Sequence, residues 1–198
     1  MKKFIKKNGN FIHQTAIINW DKVIIGKGNI IGPYVVIGNR AQHPKKKSNG
    51  IIYIGNKNIF NEYCNIHLPT KLRKKTIIGN NNYFMNSTTV DHDCYIENNI
   101  VFSSSVILGG NVHVMKNSNL GIKTIVHQGQ TIGSYTMLGM GSIVTKKLNV
   151  LPGYIFYGKP AKKIKINKIG LKRHKVTKII LKNEKKRFFK ILKRENNE

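Results

Sequence analysis

Cysteine is nearly absent: Cys64 and Cys94 are the only two in 198 residues. Two are too few for a disulfide framework, so nothing in the composition requires an oxidising compartment. The basic stretch Met1–Asn10 has no apolar core, so no signal peptide is expected. No apolar run is long enough to cross a bilayer. Together these absences point to a cytoplasmic chain.

Acid is scarce as well. Asp and Glu number 8 against 35 Lys and Arg, a formal charge of +27. Such a field attracts polyanions, among them nucleotide phosphates, coenzyme A, acidic carrier proteins, nucleic acid and anionic lipid. The chain is also crowded with Lys, Asn and Ile, a bias that loads solvated faces with charge without any functional need. A non-enzymatic, polyanion-binding protein is therefore one reading. Aromatic residues make up 9% of the chain, with a single Trp, and form no stacking platform of the kind single-stranded nucleic acid uses. Nucleic acid is not an expected partner.

What is present is a six-residue rhythm. Stepping by six from Ile78 gives Phe84, Val90, Ile96, Phe102, Leu108, Val114, Leu120, Val126, Ile132, Leu138, Val144, Val150 and Phe156, none of them polar. Ile54, Phe60 and Ile66 continue the phase upstream. Gly often follows the apolar position, as at Ile78-Gly79 and Leu108-Gly109. The pairs Ile25-Gly26, Ile31-Gly32 and Ile37-Gly38 keep the spacing but lie one residue out of phase, which requires an insertion between the blocks.

A period of six fits neither a helix nor simple strand alternation. It fits the hexapeptide repeat of a parallel β-helix, in which three hexapeptides make a triangular coil of about 18 residues. The apolar side chain points inward, and Gly or Asn fills a corner where an unusual backbone angle is expected. The fold class expected is all-β: a single-stranded left-handed parallel β-helix with a short C-terminal helical extension. Residues 11–158 form the β-helix and 159–198 the basic extension.

Two segments break the rhythm, Asn39–Gly50 and Leu68–Lys75, although Leu72 falls in phase. Loops thrown out of a solenoid are common sites of function. From about Gly170 the apolar spacing becomes helical, through Val176, Ile179, Ile180, Phe188, Phe189, Ile191 and Leu192, with a break expected near Asn183. The amphipathic helix is expected to cap the solenoid or pack on a partner subunit. Contact with an anionic membrane is the lesser reading.

Few titratable groups stand out on such a frame. His92 lies in Asp91-His92-Asp93-Cys94 and His127 in Val126-His127-Gln128. They are almost two coils apart, which puts them near one edge, roughly 10 Å apart along the axis. A His beside an Asp makes a general-base site, since imidazole titrates near neutrality and the carboxylate fixes its tautomer. No two His stand five residues apart, and no metal site is expected.

Ile12-His13-Gln14-Thr15-Ala16-Ile17, the Ile-Gly hexapeptides, Asp91-His92-Asp93-Cys94, Thr124-Ile125-Val126-His127-Gln128 and Ile169-Gly170-Leu171-Lys172-Arg173 resemble the UDP-N-acetylglucosamine O-acyltransferase family of lipid A synthesis. The resemblance runs from about residue 11 to residue 175. It implies a homotrimer with sites in clefts between neighbouring β-helices, an acyl-thioester co-substrate and no tightly bound cofactor. It implies His92 as general base, Asp93 as its support and the Gly110 N–H as oxyanion donor. His127 and Gln128 would line the site, Lys45 would bind substrate, and Asn167 and Arg173 would hold the nucleotide-sugar or the donor.

Departures accompany the likeness. About two N-terminal coils of the family have no counterpart, and the helical end is shorter. Thr89 and Asn111 stand where the family has His, and His43 where it has Asp. Met140 replaces a Gly that leaves room for a long acyl tail, so a shorter acyl group is expected. Gly158-Lys159-Pro160-Ala161-Lys162-Lys163 resembles the ending of acetyl-CoA-dependent hexapeptide acetyltransferases. The acyl donor is thus an acyl carrier protein or coenzyme A, and N-acetylation of a nucleotide amino sugar by acetyl-CoA is the close alternative.

Overall fold

The computed structural model describes residues 3–45, 47–70 and 75–195. The chain winds as a left-handed parallel β-helix with three flat faces. Face A has ten strands, running from Phe4–Lys7 to Ala161–Ile166; face B has seven, from Ile17–Ile18 to Ile143–Val144; face C has six, from Val23–Ile25 to Thr131–Ile132. Register partners such as Phe84 and Phe102 are one 18-residue coil apart.

The rhythm has a direct physical cause. Every sixth side chain points into the prism, and from Ile78 to Phe156 each of these residues is at most 1% exposed. Inward aromatics stack along the axis: Phe60, Phe84 and Phe102 have successive centroid distances of 4.6 Å. That matches the strand spacing of about 4.8 Å.

The corners turn through left-handed backbone at a second six-residue phase, visible at Asn81, Ser87, Asp93, Asn99, Ser105, Asn111 and Asn117, with φ between 57° and 61°. Asn and Asp tolerate this region best among non-Gly residues. The glycines after the apolar positions are not these corner residues. They are required because backbones pass closely: a Cβ on Gly79 would lie 2.7 Å from Glu97 O, and one on Gly121 2.7 Å from Leu138 O. Buried Asn10, Asn29 and Asn58 form a ladder, each side-chain oxygen accepting from the next amide at 2.9 and 3.0 Å.

The insertions are now explicable. Ile54 pairs with Ile25 across a coil lengthened by the loop before Ile51, and with Ile78 across one lengthened by six residues. Six extra residues preserve the phase. Leu72, which that phase includes, lies outside the described residues.

The C-terminal segment begins with a strand, Ala161–Ile166, antiparallel to Tyr154–Gly158. Helices α1 (Lys168–Arg173) and α2 (Lys178–Glu195) follow. The break expected near Asn183 falls instead between them, at residues 174–177, because His174 caps α1 and Thr177 Oγ1 accepts from Ile180 N at the start of α2. Helix α2 docks on the prism by Phe188, which is fully buried, and by a charged network. Glu184 binds Ser134 Oγ at 2.8 Å and Lys116 Nζ at 2.9 Å, and Arg187 forks onto Glu97. His113 Nε2 also contacts Glu97, at 2.8 Å. Burial would raise the Glu97 carboxyl, but the His113 and Arg187 hydrogen bonds override it and lower it to about 2. No described helix is long and apolar enough to cross a membrane.

Candidate active site

Both loop insertions leave the prism at the corner between faces B and C, and His92 lies in the turn at the same corner. So do Gly110 and the run His127–Gln128, one and two coils further on. An open cleft of about 230 Å³ is lined by His43, His92, Asp93, Gly110, Asn111, His127, Gln128, Gly129 and Lys146.

Asp93 is the left-handed corner residue of its turn, with φ 61°. This conformation sets its carboxylate beside its own neighbour: His92 Nδ1 is 2.8 Å from Asp93 Oδ2. The second insertion clamps the carboxylate, since Thr70 N donates to Oδ1 at 3.1 Å and Thr70 Oγ1 to Oδ2 at 2.7 Å. Asp93 N donates to Thr76 Oγ1. A carboxylate at Nδ1 keeps the proton there and leaves Nε2 with its lone pair, the tautomer a general base needs.

Gly110 passes over the imidazole. A Cβ there would fall 2.5 Å from His92 Nε2 and 2.3 Å from Cε1. Only glycine permits this approach, and its N–H donates to no protein group among the described residues. The Gly110 backbone thus lines the cleft directly beside the imidazole.

Neighbouring groups complete the electrostatics. Asp91 lies 3.4 Å from His67 Nδ1; burial would raise its carboxyl, but the neighbouring His67 imidazole and the hydrogen bond from His92 N outweigh it and lower it. Cys94 follows Asp93 in sequence, yet its thiol is buried and pushed up to about 12 by burial, so it offers no nucleophile. Among the described residues, no three His, Cys, Asp or Glu converge as a metal site.

The sequence-derived residues divide by corner. His92, Asp93, Gly110, His127 and Gln128 come together in the cleft. Lys45 is exposed on the first loop, its N–H donating to His43 Nδ1 at 3.2 Å. Asn167 and Arg173 belong to α1, against the corner between faces C and A. The Asn167 side chain accepts from Gly170 N and donates to Tyr135 O, so it caps the helix. Met140 is 69% exposed at the A–B corner, away from His92 in the same chain.

Two contributors, Thr70 and Lys146, escaped the sequence reading, and His43 was read only as a departure from the family. Thr70 holds Asp93, Lys146 lines the cleft, and His43 sets its ring edge-on to His92 with centroids 5.8 Å apart. The loop positions in the coil count were the signal for Thr70 and His43, and Lys146 stands three 18-residue coils after His92. Asn111 also lines the cleft, and its Oδ1 is buried without a hydrogen-bond partner among the described residues.

No family model matches the chain. Curated relatives do. The acyl-[acyl-carrier-protein]–UDP-N-acetylglucosamine O-acyltransferase of Synechocystis is 35% identical over 150 residues, 75% of this chain and 54% of the relative. That of Gloeothece citriformis is 32% identical over 173 residues, 87% and 62% respectively. The chain thus spans little more than half the length of such relatives. A crystal structure of a UDP-N-acetylglucosamine acyltransferase from Bacteroides fragilis superposes with a TM-score of 0.82 at 31% identity, over 90% of this chain and 69% of that one. The Arabidopsis enzyme of the same description gives 0.78 at 29%, over 86% and 67%.

Proposed function

The chain belongs to the UDP-N-acetylglucosamine acyltransferase family, and from that premise we propose that it moves an acyl group from a thioester donor to a nucleotide-linked amino sugar, with His92 as general base. The observation that carries the proposal is the His92–Asp93 pair lying directly beneath the Gly110 backbone in an open cleft.

Each step follows from that geometry. His92 Nε2 removes the proton from the acceptor hydroxyl as its oxygen attacks the thioester carbonyl. Asp93, held by Thr70, supports the imidazolium that forms. The Gly110 N–H donates to the tetrahedral oxyanion. Collapse breaks the carbon–sulfur bond, and the departing thiolate takes the proton back from His92. Lys146, with His127 and Gln128, meets the acceptor, and Lys45 extends the cationic rim toward its phosphates.

A homotrimer accounts for the dispersed residues. The outward columns of faces A and B carry exposed apolar side chains: Phe11 and Ile30 on A, and Ile17, Ile107 and Ile125 on B, are 38–65% exposed. Packing face A of one copy on face B of the next covers both columns. It also brings the C–A corner of one copy, with Arg173 and Asn167, toward the B–C corner of its neighbour. The A–B corner then lies near the threefold axis, where Met140 would meet the inner end of an acyl chain. The setting is the cytoplasm, and the product a lipid A-like or surface-glycan precursor.

The exposed Met140 and the Lys159–Lys163 turn favour a small acyl group, so acetyl transfer from coenzyme A to the amine of a nucleotide sugar is the second reading. A product-mass assay separates the two. Purified protein is offered UDP-N-acetylglucosamine or a UDP-amino sugar, each with a 3-hydroxyacyl carrier protein or acetyl-CoA. A mass gain that disappears with His92→Ala is expected; no gain in any combination overturns the proposal.

A further inference from the structure

Residues 159–193 hold fifteen of the 35 Lys and Arg but a single acid, Glu184. That acid is turned inward onto Ser134, Lys116 and Arg187. The outer face of this region is therefore uniformly cationic.

It is also apolar to an unusual degree. On α2, which lies off the packed faces, Ile179, Ile180 and Phe189 are 40–72% exposed. An amphipathic helix on a soluble domain is expected to turn such side chains toward the core. Helix α2 does so only in part: its docked face carries Leu181 and Phe188 with Glu184 and Arg187, whereas Ile179 and Phe189 stand outward among Lys182, Lys186, Lys190 and Lys193. This outward stripe follows helical spacing over fourteen residues, about 21 Å. Helix α2 lies near face C, so the trimer packing proposed above leaves it uncovered.

From these features we infer that the outer face of α2 is a docking surface for a bilayer rich in anionic headgroups. Lysine stems lie along an apolar surface while their ammonium groups reach the phosphates, and Ile179 and Phe189 enter the acyl boundary between them. Charge decides against the other simple occupant. A second copy of the same face would set cation against cation with no acid between. A nucleic acid would satisfy the lysines but leave the exposed Ile and Phe side chains unused.

Vesicle sedimentation tests the inference without reference to catalysis. The probes are phosphatidylcholine vesicles and vesicles containing about a third phosphatidylglycerol. The full chain should sediment with the second and not with the first. Ile179→Ser with Phe189→Ser leaves the net charge unchanged and should weaken binding about tenfold. Phe189→Trp in a Trp20→Phe background should shift its emission to the blue when anionic vesicles are added. No sedimentation with anionic vesicles overturns the inference. So does a Ser double variant that binds as the parent does, since the adsorption would then be electrostatic alone. Preference for a single-stranded oligonucleotide over the vesicles overturns it too. Thermal melting of each variant establishes that it is folded.

Discussion

His92 Nδ1 lies 2.8 Å from Asp93 Oδ2, and both side chains are almost wholly buried although they line an open cleft. The pair belongs to consecutive residues: the left-handed corner brings the two side chains together, and Thr70 holds the carboxylate in place. Asp93→Asn should lower kcat by roughly 10²–10³, within the range for general acid–base catalysis, and leave KM much less affected. An unchanged kcat would remove Asp93 from the mechanism.

Thr70→Val removes the hydroxyl that holds Asp93 Oδ2 while preserving shape. Thr70 touches no reacting atom, so a positioning role predicts a change in the pH–rate profile along with a fall in kcat of about tenfold. Thr70→Ser should restore both. Kinetics across pH 5–9 would show the split.

Gly110→Ala would force a methyl group to within 2.5 Å of the His92 ring. A loss of kcat of at least 10² is expected, with destabilisation of about 1–3 kcal/mol from overpacking. Activity assays and thermal denaturation on the same sample check both parts.

Arg187→Ala should destabilise the chain at pH 7 by about 2 kcal/mol, the scale of hydrogen bonds to a charged group. The pH dependence has a definite sign. The folded Glu97 carboxyl is lowered from 4.5 to about 2, so its contribution is complete above 4.5 and is lost as pH falls toward 2. The melting difference between Arg187→Ala and the parent should therefore shrink between pH 5 and pH 2.

Met140→Gly opens the A–B corner without touching the His92 cleft. Longer acyl donors should then gain in kcat/KM relative to short ones, measured by competition between chain lengths. An unaltered ratio would separate Met140 from the acyl path.

The solenoid was legible because its cause is local: one inward side chain per hexapeptide, repeated without a polar exception from Ile78 to Phe156. The His92–Asp93 pair was legible for the same reason, being adjacent in sequence. The Thr70 clamp was not, since it reaches Asp93 across 23 residues from a loop whose length the period does not constrain. The α2 docking was hidden as well. Its Arg187–Glu97 contact spans 90 residues, and nothing in a lysine-rich helix marks one arginine as the inward one. The glycines of the Ile-Gly pairs suggested corner angles, whereas close packing of adjacent coils is what requires them.

A stack of parallel coils has two raw ends, each a row of unpaired backbone groups onto which another stack could add. Here Phe4–Lys7 and Ala161–Ile166 fold back antiparallel across the two ends of face A. Lys6 and Lys7 at one end and Lys162, Lys163 and Lys165 at the other make each seal repel its counterpart on a second molecule. At face A, addition of a second stack is thus opposed by geometry and by charge.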